Sequence, residues 1–515
     1  MTSPARERID EAPARPTRPL REQLRGLDTR LGRWAPLLVA LATAGLASTR
    51  LSAKSLWHDE AFTLAVANSE AGAFWQAILQ HESFAGLYYG IIRLLSPLSN
   101  TEAGVRAPSV LFAALAAATC YAIARDLFGH RVAALSGLLL VVNVFFIRYA
   151  QEARAYSLAL WLVALATWAL IRAVERPSLS RWLLYGLAAA VAVYAHFFAA
   201  LVIAGHMISL FVHRTLVPWR RVAAAAAFGT TLVLPLAVVV LSTNSGGRPQ
   251  PADISIVSVL RVLSGAPPTG YGVALVAIVA MTYLIGVGTY IRRRRDITGS
   301  WSAWRYTLLA CWLWVPIALA AIVSQALPVF VTRYFVLCLP ALVILVAVGV
   351  TALRPAVQMA LIIVVMVIGI RELGLYYQAD HKEGENWRGL VEYVAGGSHS
   401  DDGIIFLSRY GRRPFEYYQA RHPGLESKLV PLYPPMPWGS YPPVVGESQV
   451  GTTTTAARQA RTRDPRRVWT VMLWGGFDTG HEDGAPLERL LTDEYMETVH
   501  RSFGPHLELA RYERP

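Results

Sequence analysis

The sequence predicts a polytopic α-helical membrane protein of about eleven spans, with a small α/β domain at its C-terminal end. Three observations carry this. Of the 515 residues, 54% are hydrophobic and only 16% charged, where a soluble domain carries about 25% charged residues. The apolar residues come in blocks such as Val222–Leu241 and Ala341–Ile370, and roughly 20 apolar residues are what a helix needs to cross a bilayer core. Finally, arginines gather in alternate short loops: Arg125 and Arg131; Arg172, Arg176 and Arg181; Arg214, Arg220 and Arg221; and Arg292–Arg295. That placement is the positive-inside pattern of cytoplasmic loops.

The net charge of +13 is absorbed by this pattern, so it does not point to a nucleic-acid partner. Cys120, Cys311 and Cys338 all lie in apolar blocks, which implies neither a disulfide framework nor a metal-binding cysteine cluster. Residues 1–32, polar and rich in Arg and Pro, read as a disordered cytoplasmic tail. Trp34–Ser48 starts too late for a simple cleaved signal and reads as a retained first span. Further spans centre near residues 115, 140, 164, 190, 206, 231, 281, 316, 344 and 364, completing a membrane module over 33–372. The divisions near His196 and at Arg354-Pro355 are the least distinct.

With the N-terminus inside, an odd number of spans puts the C-terminus outside. Residues 51–105, 148–155, 242–270, 327–334 and the tail 373–515 then share the outer face. In the first of these, Ser69–Leu95 carries Phe74, Ile78, Leu87, Ile91 and Leu94 at helical spacing, the pattern of a helix lying in the membrane interface or packed on the bundle. In the tail, 403–407, 468–474 and Leu507–Tyr512 read as strands and Leu487–His500 as a helix. The Pro-rich stretch Pro431–Pro443 separates the two halves of this domain, and Thr452–Thr455 is a short low-complexity run.

Outer-face residues are where chemistry is expected. Trp57-His58-Asp59-Glu60 places two acids just after the first span. They are either solvated loop charges or carboxylates desolvated enough for general-base work. A metal set of His58, Asp59, His81 and Glu82 is of the right residue types, but its spacing is not diagnostic. Arg148, Glu152 and Arg154 crowd a short turn on the side where positive charge is depleted. They either pair internally, Glu152 with Arg148 or Arg154, or form an anion site of guanidinium forks. Arg333, next to Tyr334, and Arg106 stand at span ends, where arginine either snorkels to headgroups or serves such a site. His196, within Tyr194–Phe198, is either a packing residue or part of a polar site near the outer face. One acid pair and several arginines on one face suit a substrate with an anionic head and a lipid tail.

At these residues the sequence resembles the GT-C glycosyltransferases, specifically bacterial members of the protein O-mannosyltransferase-like family. The resemblance rests on Leu56–Thr63, Gln151–Ser157, Tyr194–Phe197 and Arg333–Phe335 with Pro340, in that order, and on Asn386-Trp387-Arg388 followed by Asp401–Ile405. It covers 34 to about 420 and departs from the family where a His-Pro-Pro-Leu-Tyr-type stretch is replaced by His81–Tyr89, which lacks the prolines. The resemblance implies an inverting transferase that moves a sugar from a polyprenyl-phosphate donor to a glycolipid, glycan or protein hydroxyl on the outer face of a bacterial inner membrane. It implies Asp59 as catalytic base with Glu60 as its partner. Arg154 and Arg333, backed by Arg106, His196, Glu152, Tyr334 and His58, would hold the donor phosphate and substrate. No cofactor is required on this reading, although a divalent cation is compatible with it. The other class to weigh is a non-catalytic flippase or transporter, for which inverted repeats and midplane charges are expected and are not evident.

Overall fold

A computed structural model of the chain describes residues 20–80, 82–242, 255–265, 270–293, 300–325, 330–379, 382–442, 453–474 and 485–515. Helix α1 (Leu20–Ser48) begins inside the stretch read as a disordered tail, the remainder of which (1–19) lies outside the described residues. Outside them too are His81, most of 242–270, part of 327–334, the end of the basic run at Arg294-Arg295, Pro443 and Thr452.

The stretch read as the first outer loop, 51–105, folds into three short helices, α2 (His58–Asn68), α3 (Ala71–Gln80) and α4 (Gly86–Leu95), before the next long helix. The single expected interfacial helix is thus broken at 81–85, where a 3-10 turn spans Ser83–Ala85. Phe74 and Ile78 are buried while Trp75, Leu79 and Leu94 are exposed, as a helix at an apolar boundary requires.

The bundle continues with α5 (Glu102–Phe128), α6 (His130–Val141), α7 (Val144–Ala150), α8 (Tyr156–Glu175), α9 (Leu179–Ala195), α10 (Ala199–Val212) and α11 (Trp219–Ser242). It is completed by α12 (Ile256–Leu263), α13 (Gly270–Arg293), α14 (Ser300–Val323), a 3-10 segment Thr332–Cys338, α15 (Leu339–Thr351) and α16 (Pro355–Gln378). Among the described residues six helices are long and apolar enough to cross a membrane, or seven if α6 and α7, bent by 66°, form one span. Shorter apolar helices occupy three more of the expected centres, at Leu179–Ala195, Ala199–Val212 and Gly272–Gly288. Length and composition therefore do not reach the expected eleven.

Packing explains which helices face lipid. Every residue from Leu339 to Val350 in α15 is buried, against α13, α14 and α6. On α16, Val357, Met359, Ile363, Val367 and Ile370 are exposed, as are Leu234, Val238 and Leu241 on α11. An all-round apolar helix belongs in a core or in lipid, and this bundle uses both. Gly286 on α13 and Gly349 on α15 let two backbones touch; a Cβ at Gly349 would sit 1.7 Å from the Thr282 carbonyl oxygen.

The C-terminal domain runs α17 (Trp387–Gly397), β1 (Asp402–Phe406), α18 (Arg412–Gln419), α19 (Leu425–Lys428), β2 (Leu429–Tyr433), α20 (Thr453–Arg463), β3 (Arg467–Leu473), α21 (Ala485–Glu494), β4 (Met496–Ser502) and β5 (Leu507–Glu513). Its sheet has the order β2-β1-β3-β5-β4, with β1 parallel to β2 and β3 and the remaining pairs antiparallel. Strand alternation sends Phe406, Trp469, Val471 and Leu509 toward α17, and Ile405 and Val468 toward α20 and α21. Two expectations change here. The helix expected over Leu487–His500 stops at Glu494, because Met496–Ser502 pairs along β5. The Pro-rich stretch opens as strand β2, where Pro431 is tolerated because the strand lies at the sheet edge.

Candidate active site

Helix α2 opens at His58, so Asp59 and Glu60 stand in its first turn, where the helix dipole favours acids. Successive helix residues diverge by about 100°, and these two neighbours accordingly meet different surroundings. Glu60 is fully buried. Arg106 grips it with two bonds, Nε to Oε1 at 2.8 Å and Nη2 to Oε2 at 2.6 Å. Lys382 Nζ donates to Oε1 at 3.1 Å, and the Ala153 N–H donates to it at 3.0 Å. Burial alone would raise the Glu60 pKa, but Arg106 and then Lys382 outweigh it and hold the carboxyl at about 2. Arg106 gives its other donors to the carbonyls of Leu51, Lys54 and Ser55. The sequence assigned Glu60 to substrate chemistry and Arg106 to the phosphate; in the structure each is consumed by the other. Together they tie α5, the first outer loop, the 151–155 turn and the C-terminal domain. Removing one partner of such a buried pair typically costs about 3–5 kcal/mol.

Asp59 looks the other way. Its carboxylate is about one-fifth exposed, with Oδ1 3.3 Å from His58 Nε2 and Oδ2 3.9 Å from Arg154 Nε. Burial pushes its pKa up, but Arg154, His58 and Arg333 prevail and hold it below the usual carboxylate range. Arg154 also donates to the Tyr89 hydroxyl at 2.7 Å and lies 3.6 Å from Glu82. For Glu82, burial, assisted by the Asp59 charge, outweighs Arg154 and raises the pKa.

His58 is braced from behind. Its Nδ1 lies 2.6 Å from Glu385 Oε1, and its backbone N–H donates to Glu385 Oε2 at 3.0 Å. Burial would lower its pKa, yet Asp59 and Glu385 together raise it. Glu385 itself accepts from the Trp387 indole N–H at 2.6 Å. A two-residue turn makes this arrangement: Glu383 and Gly384 both have positive φ (51° and 78°), and Lys382 and Glu385 bridge across them. One turn thus delivers Lys382 to Glu60 and Glu385 to His58.

The remaining expected site residues separate. Neither internal pair of the 148–155 turn forms. Arg148 pairs with Glu383, and Glu152, fully buried with both carboxylate oxygens lacking hydrogen-bond partners among the described residues, sits 3.9 Å from Lys382. Burial raises the Glu152 pKa against the pull of Lys382. Arg333 is near enough to act on Asp59, and its buried Nε has no hydrogen-bond partner among the described residues. Tyr334 packs edge-on against His196 with ring centroids 4.6 Å apart. His196 ends α9, accepts the Phe198 N–H at 3.2 Å and is buried, so it shapes the break between α9 and α10. The centre of the site is therefore Asp59, His58, Arg154, Glu82 and Arg333. Glu82 had drawn notice only as a metal ligand. Glu385 and Lys382 were missed altogether; their one sequence signal is a Gly between acids just before Asn386-Trp387-Arg388. Among the described residues no group of three His, Cys, Asp or Glu side chains could hold a metal ion, and His81 lies outside them.

Residues 86–242 match the family described as dolichyl-phosphate-mannose-protein mannosyltransferase. The fold matches ArnT from Cupriavidus metallidurans, both in the apo state (TM-score 0.59) and bound to undecaprenyl phosphate (TM-score 0.57). Each alignment has 13% identity and covers 92% of this chain and 97% of that one. The Archaeoglobus fulgidus oligosaccharyltransferase in its apo form aligns less closely, with TM-score 0.49 and 10% identity over 85% of this chain and 69% of that one. No curated protein matches by sequence. The fold expected from the motifs is thus met: the chain is a multi-pass membrane protein with a fold like that of ArnT, and its residues 86–242 match the dolichyl-phosphate-mannose-protein mannosyltransferase family.

Proposed function

We propose that the protein is an inverting glycosyltransferase. It moves a sugar from a polyprenyl-phosphate donor to an acceptor hydroxyl at the outer face of a bacterial inner membrane, with the N-terminus inside and the C-terminal domain outside. The observation that carries this is the approach of Arg154 Nε to within 3.9 Å of the Asp59 carboxylate, with the Arg333 charge near enough to help hold its pKa down, a carboxylate next to cations suited to an anion. Asp59 takes the proton of the acceptor hydroxyl as that oxygen attacks the anomeric carbon. The lipid phosphate leaves with negative charge, which Arg154 and Arg333, held in place beforehand, stabilise. Attack opposite the leaving group, assisted by a single base, inverts the anomeric centre, as in inverting glycosidases. Glu60 and Arg106 position α2, and the eleven-span topology is retained as part of this reading.

The test is purified protein in detergent or nanodiscs, supplied with polyprenyl-phospho-sugars and a lipid and glycan extract. Product forms with the wild type, and Asp59→Asn lowers turnover about 10²- to 10⁴-fold while undecaprenyl phosphate still binds. Near-normal turnover in Asp59→Asn would remove the base. Donor binding without product from any donor would favour a carrier.

A further inference from the structure

Strands β1 and β3 lie side by side and parallel, but the chain leaves them in opposite directions, β1 toward β2 and β3 toward β5 and β4. In open α/β sheets the crevice beyond the carboxyl ends of two such strands is where ligands bind. Here each strand sends one aromatic residue into that position. Tyr410 follows β1 in the 3-10 turn Arg409–Gly411, and Trp474 is the residue immediately after β3. Both are exposed, Trp474 by 50%. Trp474 is also held at φ 59°, a left-handed conformation that costs a bulky residue strain and persists where something over-determines it. Its N–H donates to the His506 carbonyl at 2.9 Å.

This crevice opens onto the candidate active site. The Trp474 ring stands edge-on to His58 with centroids 4.7 Å apart, and Tyr410 lies 6.1 Å from Trp474 and 6.4 Å from His58. His58 Nε2 in turn is 3.3 Å from the Asp59 carboxylate. An open indole, a tyrosine and a charged rim from Arg409, whose guanidinium lies 5.5 Å from the Tyr410 ring centre, are therefore one side chain away from the base.

We propose that Trp474 and Tyr410 form the acceptor subsite, and that the acceptor is a carbohydrate whose ring stacks on Trp474. This rests on the transferase reading and names its substrate class. A sugar ring presents a C–H face to an indole while its hydroxyls radiate outward, so stacking on Trp474 brings a hydroxyl past His58 to Asp59. A peptide acceptor needs partners for its backbone amides, and the strand edges that could supply them are β2 and β4, at the outer sides of the sheet and away from the crevice.

The test uses the full chain in nanodiscs, with methyl mannoside, short mannan and arabinan oligosaccharides and a Ser/Thr-containing peptide as probes, read by saturation-transfer NMR. Undecaprenyl phosphate binding is measured in parallel. The glycan probes bind, Trp474→Ala weakens them about tenfold, Trp474→Phe restores most of the loss, and undecaprenyl phosphate binds all three forms alike. Glycan binding unchanged in Trp474→Ala, no glycan binding to the wild type, or peptide binding that depends on Trp474 each overturns the proposal. Absence of undecaprenyl phosphate binding to the wild type strikes the transferase reading instead, and is visible separately from the glycan result.

Discussion

Asp59 and Glu60 show how little a residue's chemistry is set by its identity. One residue step along the helix, about 100° of rotation, separates an acid clamped by Arg106 and Lys382 from an acid that faces a partly open site. The second is still weakened by its company: with Arg154, His58 and Arg333 pulling its pKa down, Asp59 is a weak base at rest. On the proposed reaction, a donor phosphate engaged by the two arginines would bring negative charge beside Asp59 and raise its proton affinity. The sign is testable. The acid limb of kcat, which reports the donor-bound enzyme, lies at higher pH than the acid limb of kcat/KM for the donor, which reports the free enzyme. Coincident limbs, or the reverse order, would disprove this coupling.

Among the elements, α2 matters most, and it is held by a segment more than 300 residues away in sequence. The clamp titrates. Asp59 and Glu385 raise the His58 pKa above 6.5 against the effect of burial. A raised folded-state value adds stability that is complete below 6.5 and disappears as pH rises through the folded value. Protection factors for amide exchange in 51–68, in which the intrinsic rise of exchange with pH is divided out, are therefore highest under mildly acidic conditions and fall toward alkaline pH. Glu385→Gln, which weakens the hold on the imidazolium, flattens that dependence; an unchanged pH profile in this variant would show that the Glu385 contact does not hold α2. Much at this scale was legible. Apolar blocks marked the helices, and Ile404, Trp469 and Leu509 marked three of the five strands. Strand β4 was not, because its residues are nearly all exposed and only its pairing with β5 defines it. The motifs named Asp59, His58, Arg154 and Arg333 at the candidate site, whereas Glu82 and Glu385 join it only through contacts that no local spacing records.

At the scale of the whole molecule, the membrane module and the C-terminal domain share one polar seam. The Tyr418 hydroxyl accepts the Leu56 N–H at 2.7 Å and donates to Glu102 at 3.0 Å, and Arg388 reaches both Glu102 and the Ser52 carbonyl. Arg413 lies over the Phe62 ring, with its guanidinium carbon 5.1 Å from the ring centre. A chain ending at Ala379 loses Lys382 and Glu385 together, leaving Glu60 and Arg106 in a thinned network and His58 without its brace. It unfolds at a lower temperature and is cut by protease within 51–68, while the full chain resists; equal protease resistance of the two would show that the bundle orders the loop unaided.

The Glu383-Gly384 turn therefore sets a limit on how this architecture can be recombined. An exchange of C-terminal domains between relatives that breaks at the end of α16 separates the proposed base, through His58, from the Glu385 that braces it, even though the break falls between two well-folded units. A chimaera that keeps residues 382–388 with the bundle, and replaces only the chain beyond Arg388, keeps the Lys382 and Glu385 contacts to Glu60 and His58 while giving up those of Arg413 and Tyr418. The segment 382–388 therefore belongs with the bundle as much as with the domain it opens.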